Sequence, residues 1–141
     1  MALHSLVYVS QVLPGLTVSE IDALVKDASE HNQIAGVTGV LLTDGLQFLQ
    51  YIEGPEDGLA LAYSRILNST SHTEIMELGR ARGGSRRFPY WSIRWIAVEQ
   101  DELKLTRSSD WRGLAARRGG AISQLPTGID RIGSLVRPYL H

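Results

Sequence analysis

The chain contains no cysteine in its 141 residues. That excludes a disulfide framework, a thiolate metal site and any nucleophilic thiol. An excess of one charge is missing as well: 14 basic side chains stand against 15 acidic ones, for a net charge of −1 and a pI near 6.4. Electrostatics therefore make no case for a nucleic-acid partner or an anionic membrane surface. No apolar run approaches bilayer length, and residues 1–11 lack the basic start and long apolar centre of a secretory signal. The default expectation is a soluble cytoplasmic protein. None of the four histidines has metal-ligand spacing, and neither an internal repeat nor a low-complexity tract is present.

The length suits one domain with a real core, followed by a tail. Residues 3–10 are β-branched and aromatic enough for a strand, with Leu6, Tyr8 and Ser10 on one face. Thr17-Val-Ser-Glu20 is a capping box that opens a helix. Its apolar stripe is Ile21, Leu24, Val25 and Ala28; one more step of four reaches Asn32, and Gly36 supplies a left-handed stop. Residues 37–43 and 46–54 form an antiparallel hairpin about Asp44-Gly45. Pro55 takes the first position of a second helix, whose buried stripe is Leu59, Ala62, Tyr63, Ile66 and Leu67, with Arg65 beside it. Residues 72–80 are a weaker strand. Residues 88–98 read as another, with Trp91, Ile93, Trp95 and Ala97 on one face.

The order strand, helix, strand, strand, helix, strand, strand implies an α+β fold of ferredoxin-like βαββαββ type, a mixed sheet with two helices on one face. The domain is expected over 1–98. The extension 99–141 holds short helices over 109–118 and 127–139, separated by Gly119-Gly120 and Pro126. It is expected to cap the other face of the sheet or to meet a partner chain.

Within the strand 46–54, Leu46, Phe48, Gln50 and Ile52 share a face, which sets one carboxamide in an apolar row. A buried amide needs partners for two donors and an acceptor. Either neighbouring backbone or a water supplies them, or a ligand does. Tyr8, Asn32 and Gln50 all project toward the same helix–sheet interface, joined by Trp91 and Ile93.

With the strings Leu-Val-Tyr-Val-Ser, Glu-His-Asn-Gln-Ile-Ala-Gly-Val-Thr-Gly-Val-Leu-Leu, Phe-Leu-Gln-Tyr-Ile-Glu-Gly and Arg-Arg-Phe-Pro-Tyr-Trp-Ser-Ile, the chain resembles the BLUF family of blue-light sensors using flavin. The resemblance implies FAD held between the two helices. It implies that Asn32 holds the ring edge and that Gln50 lies between flavin N5 and the hydroxyl of Tyr8. It further implies light-driven electron and proton transfer from Tyr8, a rearranged Gln50 and a red-shifted state, in a photoreceptor and not an enzyme. The absence of cysteine excludes a sensor that works by a cysteinyl adduct.

Arg65 matches a basic position that in some relatives reaches the flavin C2 carbonyl, although the acid found four residues on is Ser69 here. His72 matches a histidine near the ring; by position alone it fits a half-exposed strand start equally well. His31 is expected to line the pocket entrance. Trp91, Ile93 and Ser10 are expected to relay the signal, with Ile93 in the place where the family commonly has methionine. The roughly forty residues after the sheet are too short for a cyclase or phosphodiesterase domain, so output is expected through a separate protein or through a homo-oligomer. The alternatives are a light-insensitive flavoprotein and a small enzyme of the same fold, such as an acylphosphatase. RNA binding through Trp91, Trp95 and nearby arginines is disfavoured by the near-neutral charge.

Overall fold

A computed structural model describes residues 2–111, 114 and 127–140. Five strands and four helices follow in the order β1 (Leu3–Val12), α1 (Val18–Ala35), β2 (Thr38–Thr43), β3 (Gln47–Pro55), α2 (Glu56–Leu67), β4 (His72–Arg82), β5 (Trp95–Ala97), α3 (Gln100–Arg107) and α4 (Gly128–Val136). A single 3-10 turn, Arg137–Tyr139, continues α4. The sheet order is β4-β1-β3-β2-β5. All neighbours are antiparallel except β2 and β5, which are parallel. This is the expected ferredoxin-like α+β arrangement.

Local signals account for most of the elements. The Thr17 hydroxyl accepts from the Glu20 amide at 3.1 Å while the Glu20 carboxylate takes the Thr17 amide at 3.0 Å, closing the capping box of α1. Gly36 ends that helix at φ 75°, in the left-handed region that a side chain rarely adopts. The Asp44 carboxylate accepts the amides of Leu46 and Gln47, both at 2.9 Å, and so fixes the hairpin between β2 and β3.

Alternation along β3 separates the two faces of the sheet, and the two long helices divide one of them between two cores. Leu6, Tyr8 and Ile52 pack under α2, while Leu41, Phe48 and Ile93 pack under α1. The other face of the sheet carries Val7, Val40, Leu42, Leu49 and Tyr51, covered by Leu103 of α3 and Ile129, Ile132 and Val136 of α4.

The structure corrects several expectations. Pro55 ends β3 and caps α2, with Glu56 as the first helical residue. Of the strand expected over 88–98, only Trp95–Ala97 pairs regularly. Pro89 has no amide to donate, and before β5 the segment meets β2 only through Gly39 N–H to the Trp91 carbonyl (3.1 Å) and Leu41 N–H to the Arg94 carbonyl (2.8 Å). With no regular pleat there, Trp91 and Ile93 do not share a face. Ile93 lies under α1, whereas Trp91 packs with the core beneath the C-terminal helices. The Arg94 guanidinium holds it there, 5.1 Å from the Trp91 ring centre and 4.9 Å from that of Tyr139.

Helix α3 was not expected; residues 109–111 after it are not helical, and most of the helix expected over 109–118, with Gly119-Gly120 and Pro126, lies outside the described residues. At the sheet's outer edge β4 pairs with β1 alone, and its register slips twice, between Val7 and Tyr8 and between Val9 and Gln11. Glu74 on that strand has φ 54°.

Candidate functional site

A cavity of about 560 Å³ opens between α1, α2 and the sheet. Such a volume lies within the range of small-molecule and cofactor sites, roughly 300–1,000 Å³. Its floor is the sheet face that bears Tyr8, Leu41, Phe48 and Gln50; α1 adds Asp27 and Asn32, α2 adds Arg65, and the start of β4 adds His72. Tyr8 and Gln50 are direct partners in the β1–β3 register, so their side chains rise side by side. The Tyr8 hydroxyl donates to Gln50 Oε1. Both residues are buried. Burial pushes the Tyr8 phenol far above its ordinary value, and the nearby Tyr63 adds to the shift, so the group is neutral.

Asn32 ends the apolar stripe of α1, as its spacing predicts. Its Nδ2 donates to the Ser92 carbonyl at 3.0 Å, and the Ser92 and Ser29 hydroxyls meet at 2.5 Å. These bonds tie α1 to the residue next to Ile93, which lines the cavity.

His72 is buried, with Nδ1 2.5 Å from the Ser10 hydroxyl and Nε2 3.0 Å from the Ile66 carbonyl. A carbonyl only accepts, so Nε2 carries the proton and Nδ1 receives the serine hydroxyl. Burial lowers the His72 pKa below the ordinary 6.5, against the opposing pull of the Ile66 carbonyl. A depressed histidine pKa means that the unfolded chain binds the proton more readily. Stability from this source is complete above pH 6.5 and declines as the pH falls from there through the lower folded value. Urea midpoints should therefore drop on acidification below neutrality, and drop less in His72→Gln. Equal slopes in the two proteins would count against the assignment.

Other expected residues stand elsewhere. His31 is exposed, bonded through Nδ1 to the Asp27 carbonyl at 2.9 Å, and is absent from the cavity wall. Trp91 is absent too, for the reason given above. Arg65 does reach the wall, and Asp27 of α1 meets it at 3.1 Å, where the sequence offered no acid partner at position 69.

Two side chains that the sequence reading passed over prove central. Asp27 is one. The other is Glu53, fully buried on the opposite face, whose carboxylate accepts the amides of Arg87 (2.9 Å) and Phe88 (2.8 Å), the Tyr51 hydroxyl (2.9 Å) and the Thr38 hydroxyl (3.3 Å). The only available signal was an acid at an inward position of β3. The two backbone amides that it accepts lie more than 30 residues away along the chain and gave none.

The cavity wall suits a flavin. Gln50 gives its carbonyl to Tyr8, and no protein acceptor for its amide nitrogen is found among the described residues; Asn32 gives one N–H to Ser92 and keeps its carbonyl oxygen. The Gln50 amide donors and the Asn32 carbonyl acceptor thus remain beside a largely apolar floor, matching a ring edge that offers carbonyls, an N–H and a ring nitrogen.

Residues 3–94 match the family of sensors of blue-light using FAD. The chain belongs to the BLUF family. Its cofactor is accordingly FAD, and it is a photoreceptor of blue light. The blue light- and temperature-regulated antirepressor BluF of Escherichia coli (strain K12) is 35% identical over 86 residues, which are 61% of this chain and 21% of that protein. The photoactivated adenylate cyclase subunit beta of Euglena longa is 29% identical over 125 residues, 89% of this chain and 14% of that protein. The chain thus spans about a fifth or less of these two relatives. Among solved structures, BlrP1 BLUF is 31% identical with a TM-score of 0.68, over 96% of this chain and 90% of its own. The BLUF protein BlrB in its dark state is 33% identical with a TM-score of 0.65, over 74% and 77%. Among the described residues of this BLUF protein, no helix is long and apolar enough to cross a membrane, and no cluster of three or more acids and histidines could hold a metal.

Proposed function

We propose that the chain is a photochemical switch whose moving part is the Tyr8–Gln50 hydrogen bond. The observation that carries this reading is the position of that bond on the cavity wall, between a neutral buried phenol and a carboxamide with a spare donor. Bound FAD supplies blue-light absorption and, once excited, an acceptor for an electron. Tyr8 gives up an electron readily only if its proton leaves as well, and Gln50 Oε1 is placed to receive that proton. An electron and a proton then return to Tyr8. The carboxamide is left either turned about its Cγ–Cδ bond or as the tautomer that has gained a proton on Oε1 and lost one from Nε2; either way it presents an acceptor to the cavity. An acceptor then stands where a donor stood, and nothing is released. That outcome is a switch and not a turnover.

Asn32 holds the second polar edge, His72 supports Ser10 on the strand of Tyr8, and Ile93 carries the change toward β5 and the extension 99–141. Output through a separate protein, or through a homo-oligomer of this chain, agrees with relatives named as an antirepressor and as cyclase subunits. The test is a light-minus-dark absorption spectrum of the purified protein, followed by size-exclusion in each state. A reversible red shift of the flavin bands is expected. Bands that stay in place under blue light would identify a light-insensitive flavoprotein.

Ile93 is β-branched and stiff at its first torsion, and it is buried beside Leu41 and Phe48. Methionine repacks more easily around a moving neighbour. Ile93→Met should therefore shorten dark recovery, followed as the decay of the red shift; rates equal to the parent's would remove Ile93 from the relay.

A further inference from the structure

Helices α1 and α2 run antiparallel over the cavity, and their separation is set differently at their two points of contact. At one end Gly58 has no side chain because none fits: a Cβ there would lie 2.0 Å from the Ala35 carbonyl oxygen. This backbone contact is a fixed pin. Arg65 lies seven residues beyond Gly58 and Asp27 eight before Ala35, about 10–12 Å along each helix. There Arg65 Nη2 meets Asp27 Oδ2 at 3.1 Å across the gap. Arg65 is the one lysine or arginine on the described cavity wall, and Asp27 the one carboxylate.

We propose that Asp27 and Arg65 form an ionic latch at the solvent-facing wall of the cavity, which slows escape of the flavin by holding the middle of α1 to the last turn of α2. The inference rests on the flavin site described above and adds Asp27 as a positioning residue. The pair is half exposed, with 46% and 62% of the two side chains open to solvent, so the latch is weak and screened by salt. Asp27 also stands 3.8 Å from His31 Nδ1 on its own helix, so the carboxylate keeps a neighbour when Arg65 lets go.

A latch and a merely electrostatic role predict opposite signs. If the Asp27 charge only repelled the phosphates of the cofactor, removing it would slow the release of FAD and FMN and leave riboflavin unaffected. If it bridges the helices, removing it speeds the release of all three. The experiment follows the rise of free-flavin fluorescence after dilution of dark-state protein loaded with riboflavin, FMN or FAD.

Asp27→Asn should release each flavin about two- to fivefold faster at low salt, and the difference should vanish at about 1 M salt. Adding Asp27→Asn to Arg65→Gln should change nothing further. Unchanged or slower release, or an Asp27→Asn effect that persists in the Arg65→Gln protein, would overturn the latch. The parent's light-induced shift is recorded in parallel. A parent that binds flavin without shifting refutes the photochemical reading and leaves the release comparison valid, whereas a parent that holds no flavin refutes both.

Discussion

Tyr8→Phe should yield a protein that stays yellow and no longer shifts its spectrum under blue light. The ring still fills its place between Leu6 and the α2 core, so the cavity keeps its shape and the flavin its seat. What disappears is the one hydroxyl bonded to Gln50 Oε1. Without it no proton stands in line with the carboxamide, and the switch has no trigger. The stability cost is that of one hydrogen bond, about 1 kcal/mol, because the freed amide can turn its oxygen toward the cavity. Loss of the shift with flavin retained is therefore separable from loss of fold: absorption reads the first and a urea titration the second. A Tyr8→Phe protein with an intact photocycle would exclude the proposed role.

Glu53→Gln should be strongly destabilising although it is a conservative change. Each carboxylate oxygen holds one backbone amide, that of Arg87 on Oε1 and that of Phe88 on Oε2. The hydroxyls of Tyr51 and Thr38 can rotate to accept from a new amino group, whereas a backbone N–H cannot. Whichever oxygen becomes nitrogen, one buried amide loses its acceptor and faces a donor, and the charge that strengthened the set is gone. A loss of about 3 kcal/mol is expected, read from the urea midpoint at unchanged slope. The same substitution loosens the start of the segment that carries Ser92 and Ile93 to the cavity, so dark recovery should change with it. A loss below about 1 kcal/mol would show that the carboxylate is not what fastens that segment.

What the chain disclosed about itself followed the range of each interaction. The capping box at Thr17, the left-handed stop at Gly36 and the Asp44-Gly45 turn are contacts within four residues, and all are visible in the string of letters. Strand alternation put Tyr8 and Gln50 on the same face of the sheet, because a period of two fixes the face once the buried side is known; their direct pairing across β1 and β3 comes from the fold. The errors begin where partners are distant. Residues 88–94 have strand-like composition, yet Pro89 and the grip of Glu53 hold them off the ladder, and Trp91 turns to the Arg94–Tyr139 stack instead of the cavity. Helix α3 has a mostly polar sequence whose anchor, Leu103, is fully buried only because the sheet face lies beneath it. Asp27 reads as an ordinary solvated acid until the crossing of two helices brings Arg65 to it, and that crossing has no local signature.

The borders of the sheet have a consequence of their own. Hydrogen-bonding groups left open along an outer strand are a template on which another chain can grow, and persistent growth of that kind ends in fibrils. Here one border is only three residues long, and the other is kinked by two slips of register and a left-handed glutamate. Neither offers a straight run for a newcomer. Growth by continued strand pairing is therefore disfavoured at both borders, which keeps the folded chain from seeding fibrils.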